Sequence, residues 1–127
     1  MNNNVVGWFE IPVNEMDRAI QFYEAVFEFK IDRQVVGTLD MGWFPWEDDG
    51  VGAGGSLVYY PKEYKPSADG PLIYFTASSG DLQNELERVI PAGGKILGEK
   101  RLIAEGFGYM AVIQDTEGNR IALHSRI

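Results

Sequence analysis

The stretch Gly7-Trp8-Phe9-Glu10-Ile11-Pro12-Val13-Asn14-Glu15-Met16-Asp17-Arg18-Ala19 reads as a β-strand running straight into a helix. Side chains on a strand alternate between its two faces. Phe9, Ile11 and Val13 therefore form an apolar face, while Trp8, Glu10 and Pro12 share the opposite one. The apolar face belongs against a core. The other face is where function is expected, because a carboxylate one strand step from an indole, pointing into a concave surface, needs a partner there. Asn14 is placed to cap the helix through its side-chain oxygen, with Glu15 and Asp17 near the positive end of the helix dipole. Met16, Ala19, Ile20, Tyr23 and Phe27 recur at helical spacing, and the helix is expected to end near Glu28.

Outward from this stretch, 127 residues fit a single domain that buries roughly two-thirds of the surface of its unfolded chain. A content of 45% hydrophobic and 13% aromatic residues supplies a packed core. The formal net charge of -8 repels phosphate backbones and anionic headgroups, and no cluster of Lys or Arg offsets it, so neither nucleic acid nor membrane is expected as a partner. The absence of cysteine excludes disulfides, thiolate metal sites and a Cys nucleophile. Met1-Asn2-Asn3-Asn4 lacks a basic segment followed by an apolar run, and no segment approaches about 18 consecutive apolar residues. A cytoplasmic location is expected.

Strand-like residues follow from Phe29 to about Val36 and from Thr38 to Trp46, then an acidic, Gly-rich loop from Trp46 to Gly55, then a strand from Ser56 to Tyr60. Pro61 to Pro71 reads as an extended linker. The pattern then repeats. Leu72 to Ala77 is a strand, Ser78 or Ser79 caps a helix with the stripe Leu82, Leu86 and Val89 or Ile90, and Pro91-Ala92-Gly93-Gly94 stops it. Lys95 to Leu97 opens a strand, Gly98 to Phe107 reads as a long connection, and strands follow at Gly108 to Gln114 and Arg120 to Ser125. Trp8 set against Leu72 gives an offset of 64, and Leu57 against Ala122 gives 65. The expected fold is α+β, two βαβββ units in a single domain of residues 1–127, with unit 1 at about 4–60, a linker at 61–71 and unit 2 at about 72–127. Each unit leaves one sheet face uncovered, and two such faces turned toward each other would enclose a central cleft.

Ile11-Pro12-Val13-Asn14-Glu15-Met16-Asp17-Arg18-Ala19 with Phe22-Tyr23, then Ala92-Gly93-Gly94-Lys95-Ile96, then Asp115-Thr116-Glu117-Gly118-Asn119-Arg120-Ile121 resemble the vicinal oxygen chelate superfamily. That group contains glyoxalase I, extradiol dioxygenases and the fosfomycin- and bleomycin-resistance proteins. Within it the chain looks similar to bacterial single-domain proteins described as lactoylglutathione lyase-related. The resemblance implies a homodimer. It also implies metal ligands, usually His or Gln, Glu, His and Glu, on the first and last strand of each unit. Mapped here, these positions fall on Trp8, Leu72, Ala122 and at or beside Leu57, and neither they nor the neighbouring Phe9, Ile73, Ile121, Leu123, Ser56 and Val58 offer a strong ligand. No catalytic metal and no cofactor are expected.

Glu10 and His124, each two residues beyond a mapped ligand position, are the candidate catalytic residues, as an acid/base pair or a polar hook. The plainer reading pairs Glu10 with Arg120 or a tyrosine and leaves His124 exposed near the end of the chain. Trp8, Tyr60, Tyr74 and Arg120 are the candidate ligand-binding residues, the aromatic ones by stacking. Gly50, Gly52 and Gly55 match G-x-G-x-x-G, but they precede a strand where a dinucleotide site needs a helix, so a loop beside the cleft is the expected role. No Gly-x-Ser-x-Gly elbow supports a catalytic triad. The first functional reading is a protein of bleomycin-resistance type that binds a small apolar or aromatic molecule in a metal-free cleft. The alternatives are a metal-independent lyase or isomerase with Glu10 as base, a metal-dependent lactoylglutathione lyase-type or dioxygenase enzyme, and an interaction module with a vestigial cleft.

Overall fold

The structure, a computed structural model, describes residues 4–127. Its elements are β1 (Trp8–Pro12), α1 (Met16–Phe27), β2 (Asp32–Val36), β3 (Leu39–Trp43), β4 (Gly54–Tyr59), β5 (Ile73–Thr76), α2 (Leu82–Val89), β6 (Lys95–Ala104), β7 (Gly108–Gln114) and β8 (Arg120–Ser125). They form two four-stranded sheets of matching order, β1-β4-β3-β2 and β5-β8-β7-β6. In each sheet the first strand pairs in parallel with the last, and the other pairings are antiparallel.

The duplication is visible in the backbone. Just past the first strand, the Val13 amide donates to the Val58 carbonyl, and the Ala77 amide donates to the His124 carbonyl. Glu10 lies across from Ser56 and Tyr74 lies across from Ala122. The offset is therefore 64 on the first strand, as expected, but 66 on the last, so the counterpart of Ala122 is Ser56 and not Leu57.

Alternation on β1 works as the sequence dictates. Ile11 and Val13 are buried in the core, Phe9 packs against it, and Trp8 faces solvent. One continuous core takes Phe22, Tyr23, Val26 and Phe27 from α1, Leu82, Leu86 and Val89 from α2, and inward residues of both sheets, including Leu57, Ile113, Ile121 and Leu123. Phe75 of unit 2 stacks on Phe27, with ring centroids 5.0 Å apart, and meets Phe9 and Phe44 edge-on.

Several local expectations are corrected. The cap of α1 is Glu15, whose carboxylate accepts from the Arg18 amide; Asn14 instead donates its own amide to Glu117. The cap of α2 is Asp81, which accepts from the Gln83 amide, while Ser79 donates its hydroxyl to the buried Glu85. Phe29 packs against Phe27 and Phe44 ahead of β2, which begins only at Asp32, and β3 stops at Trp43. Gly54 and Gly55 are buried strand residues, not loop. A Cβ on Gly54 would sit 2.2 Å from the Trp46 ring, and one on Gly55 would sit 2.4 Å from the Phe9 ring, so glycine is what lets two aromatic rings lie across β4. The stretch from Gly98 is mostly strand. β6 continues to Ala104 through register shifts between Ile96 and Gly98, between Gly98 and Arg101, and between Leu102 and Ala104.

Unit 2 also clasps unit 1. The turn between β7 and β8 carries Asp115, Glu117 and Asn119, all buried. Glu117 accepts from the Asn14 and Glu15 amides and from the Arg18 guanidinium, and Asn119 donates to the Pro12 carbonyl at 2.7 Å. Asp115 accepts from the Tyr23 hydroxyl at 2.6 Å, from the Asn119 side chain, and from the Glu117 and Asn119 amides. No described helix is long and apolar enough to cross a membrane.

Candidate functional site

The faces turned away from the core are unlike each other. Register places Trp8 and Glu10 of β1, Ser56 and Val58 of β4, Met41 and Trp43 of β3, and Asp32 and Gln34 of β2 on the open face of the first sheet. The open face of the second carries Tyr74, Arg120, Ala122, His124, Met110, Val112, Arg101 and Lys95. The first face is acidic and rich in indole. The second is basic.

Glu10 is half-buried, and its Oε1 accepts from the Tyr64 hydroxyl at 2.8 Å. This hydrogen bond, together with partial desolvation and the nearby charge, raises the Tyr64 pKa and keeps the hydroxyl protonated as a donor. Of the two partners that the plainer reading gives Glu10, Arg120 or a tyrosine, the structure shows a tyrosine, and it comes from the linker. Next to Glu10 on the same face, the rings of Trp8 and Trp43 meet edge-on at 5.8 Å, and each is about 40% exposed. Ser56, directly across from Glu10, has a buried hydroxyl with no hydrogen-bond partner among the described residues.

On the other side of Glu10 lies a cavity of about 170 Å³ between the two units, roofed by the linker. Ile11, Pro12, Pro71, Ile73 and Ile121 give it apolar walls, and Glu10, Lys65 and Arg120 are the charged residues that line it. Glu10 and Arg120 thus share one cavity. Tyr60 does not line this cavity; its ring is edge-on to that of Tyr64 at 6.5 Å.

Tyr74 and His124 belong to the second sheet, and Tyr74 lines a second cavity with Phe9 and Phe44 of unit 1. Tyr74 is half-exposed, and its hydroxyl contacts the Met110 sulfur at 3.8 Å. Met110 lies across from His124, whose Nε2 is 2.7 Å from the Phe107 carbonyl. Among the described residues no hydrogen bond joins Glu10 to His124. The segment Val51–Gly54, which holds part of the G-x-G-x-x-G pattern, lines that second cavity with Phe9, Phe44 and Phe75, and no helix follows it.

A sequence model of the Glyoxalase/Bleomycin resistance protein/Dioxygenase superfamily matches residues 5–123. The chain belongs to this superfamily. Among solved structures it is similar to a glyoxalase/bleomycin resistance protein from Albidiferax ferrireducens T118, at 16% identity over 98% of this chain and 100% of that one, with a TM-score of 0.70. It is similar also to TnmS3, an antibiotic-binding protein from Streptomyces sp. CB03234, at 21% identity over 100% and 99% of the chains and a TM-score of 0.62. A glyoxalase I mutant from Zea mays matches at 19% identity over 94% of this chain and 45% of that one, with a TM-score of 0.68. These likenesses establish the glyoxalase-like fold of two repeats. A search of curated protein sequences returns no match.

The superfamily resemblance implies a metal held by the first and last strand of each unit. By the observed register those positions are Trp8, Ser56, Leu72 and Ala122. An indole, a hydroxyl, an isobutyl group and a methyl group do not make a donor set for a divalent cation. Among the described residues no three His, Asp or Glu side chains are grouped to hold an ion. The residues present do not fit the metal.

Proposed function

We propose that this glyoxalase/bleomycin-resistance-like protein binds a small apolar or aromatic molecule beside Glu10 without using a metal. The observation that carries the reading is the position of Glu10, oriented by Tyr64 between an exposed indole pair and an apolar-walled cavity. Apolar walls with one or two oriented polar groups are the usual make-up of a small-molecule site. TnmS3, which has the same fold, is an antibiotic-binding protein, and this adds support. The test is tryptophan emission of the full chain titrated with a panel of small aromatic and apolar compounds. A saturable change that is lost in Trp8→Ala is the expected result, and no saturable response across the panel overturns the reading.

A homodimer belongs to the same proposal. The first open face carries Asp32, the second carries Lys95 and Arg101, and a two-fold axis that sets one against the other pairs opposite charges twice while leaving Glu10 and Arg120 to their cavity. Sedimentation of the full chain at low and high salt checks it: a dimer that dissociates more readily at high salt is expected, and a monomer at all concentrations overturns it.

A further inference from the structure

We infer that the cavity beside Glu10 takes a compact zwitterion: an apolar α-amino acid, or a molecule ending in the same carboxylate and ammonium pair. The inference rests on the reading that a small molecule binds next to Glu10, and it names that molecule's chemistry. Size is the first constraint. About 170 Å³ is well below the roughly 300–1,000 Å³ of sites for drug-sized ligands, so the part of the ligand that enters is compact.

Charge is the second. One acid and two bases line this space, yet Glu10, Lys65 and Arg120 close no ion pair with each other or with any described residue. Elsewhere in the chain neighbouring opposite charges do close, as Arg33 does on Asp17 and Asp40, and Lys100 on Asp81, whereas the exposed Lys65 and Arg120 face the cavity unpaired among the described residues. Tyr64 occupies one Glu10 oxygen and leaves the other as an acceptor. Lys65 and Arg120 are donors without an acceptor among the described residues, and Arg is suited to bidentate contact with a carboxylate.

A neutral apolar ligand would fill the walls and leave three charges unused. A simple carboxylate would satisfy the bases and bring its charge toward Glu10. A molecule with a carboxylate toward Arg120 and Lys65, an ammonium toward Glu10 and a branched apolar body on Ile11, Ile73 and Ile121 uses every lining group. Such a ligand bridges charges that the protein itself holds apart.

The experiment is calorimetric titration of the full chain with four probes of one shape: leucine, 4-methylpentanoate lacking the amino group, 3-methylbutylamine lacking the carboxyl group, and neutral 3-methylbutan-1-ol. Leucine is expected to bind at least about tenfold more tightly than any of the other three, the scale of one added charge-assisted hydrogen bond. Arg120→Gln and Lys65→Gln should weaken leucine and 4-methylpentanoate without weakening the amine. Glu10→Gln should weaken leucine and the amine without weakening 4-methylpentanoate. All three substitutions are at exposed or half-exposed side chains, and circular dichroism verifies that each variant is folded. Equal binding of all four probes overturns the zwitterion and leaves a small apolar ligand standing. No binding of the four, with a saturable tryptophan response to an aromatic compound, also overturns only the zwitterion. No binding of the four and no response to any compound overturns both.

Discussion

Two strand pairs in corresponding places solve the same packing problem in opposite ways. In unit 1 the parallel pair brings Phe9 across from Gly55, and in unit 2 it brings Ile73 across from Ile121. One large ring lies over a bare backbone in the first pair, where two medium side chains meet in the second. The exchange has a consequence on the opposite face. With Gly54 beside Gly55, β4 is bare enough for Trp46 to lie on it next to Trp8 and Trp43, whereas the counterpart of Gly54 in unit 2 is Arg120. One duplicated backbone thus presents an acidic face rich in indole and a basic face. The register has been kept, and the chemistry of the two units has diverged.

The comparison can be broken at the clasp, where the effect should be largest. Asp115→Ala leaves the Tyr23 hydroxyl, the Asn119 side chain and two backbone amides without their buried acceptor, and should cost about 4 kcal/mol in chemical denaturation. In the corresponding loop of unit 1 the exposed Asp48 accepts, among the described residues, only from the Trp46 ring nitrogen, and Asp48→Ala should cost less than about 0.5 kcal/mol. Similar losses at the two positions would mean that the loops are equivalent after all. Next, Gly55→Ile should cost about 3 kcal/mol by forcing a branched side chain into the Phe9 ring, and adding Phe9→Ile, which copies unit 2, should recover more than half of it. A double variant no more stable than Gly55→Ile alone would show that the two pairs are not interchangeable solutions.

Acid should act on the clasp in a defined direction. Burial pushes the Glu117 carboxyl up, but Arg18, Thr116 and the amides of Glu15 and Asn14 together hold its pKa below the usual value. A folded pKa below the unfolded one lends stability that is complete above the unfolded value and is lost as pH falls through the folded one. Asp115 runs the other way. Burial raises its pKa against the pull of Tyr23 and Asn119, so part of its contribution is lost as pH rises above the unfolded value. Denaturation midpoints compared near pH 3 and pH 6 should fall in acid for the parent chain and fall less for Glu117→Gln; equal slopes would remove Glu117 as the cause. The smallest effect belongs to the open face. Trp8→Ala, at a half-exposed ring, should cost less than about 1 kcal/mol while abolishing the ligand response, and a large loss of stability would make Trp8 a structural residue.

What the sequence made legible was local. Alternation over Phe9, Ile11 and Val13 and helical spacing over Met16 to Phe27 located the first two elements, because each signal lies within one turn or one pleat of itself. Three features escaped. Gly54 and Gly55 read as loop, since glycine in a strand makes sense only once Trp46 and Phe9 are known to lie over it. The part of β6 from Gly98 to Ala104 reads as a connection, because register shifts interrupt the alternation around Glu99, Lys100 and Arg101. That Glu10 pairs with a tyrosine is one of the plainer readings, but not which one: Tyr64 is a linker residue 54 positions away, and no spacing rule links the two. Of the candidate residues, Glu10 and Arg120 share a cavity, while Tyr74 and His124 sit together on the other sheet.

The clasp also bears on the order in which the chain can become stable during synthesis. The amides of Asn14 and Glu15 find their acceptor on Glu117, 103 and 102 residues later. A nascent chain that has released all of unit 1 still lacks the carboxylate that seats its first helix and the Asn119 amide that takes the Pro12 carbonyl. The repeat that emerges first is therefore completed last, and two units that look like separable copies are finished only together.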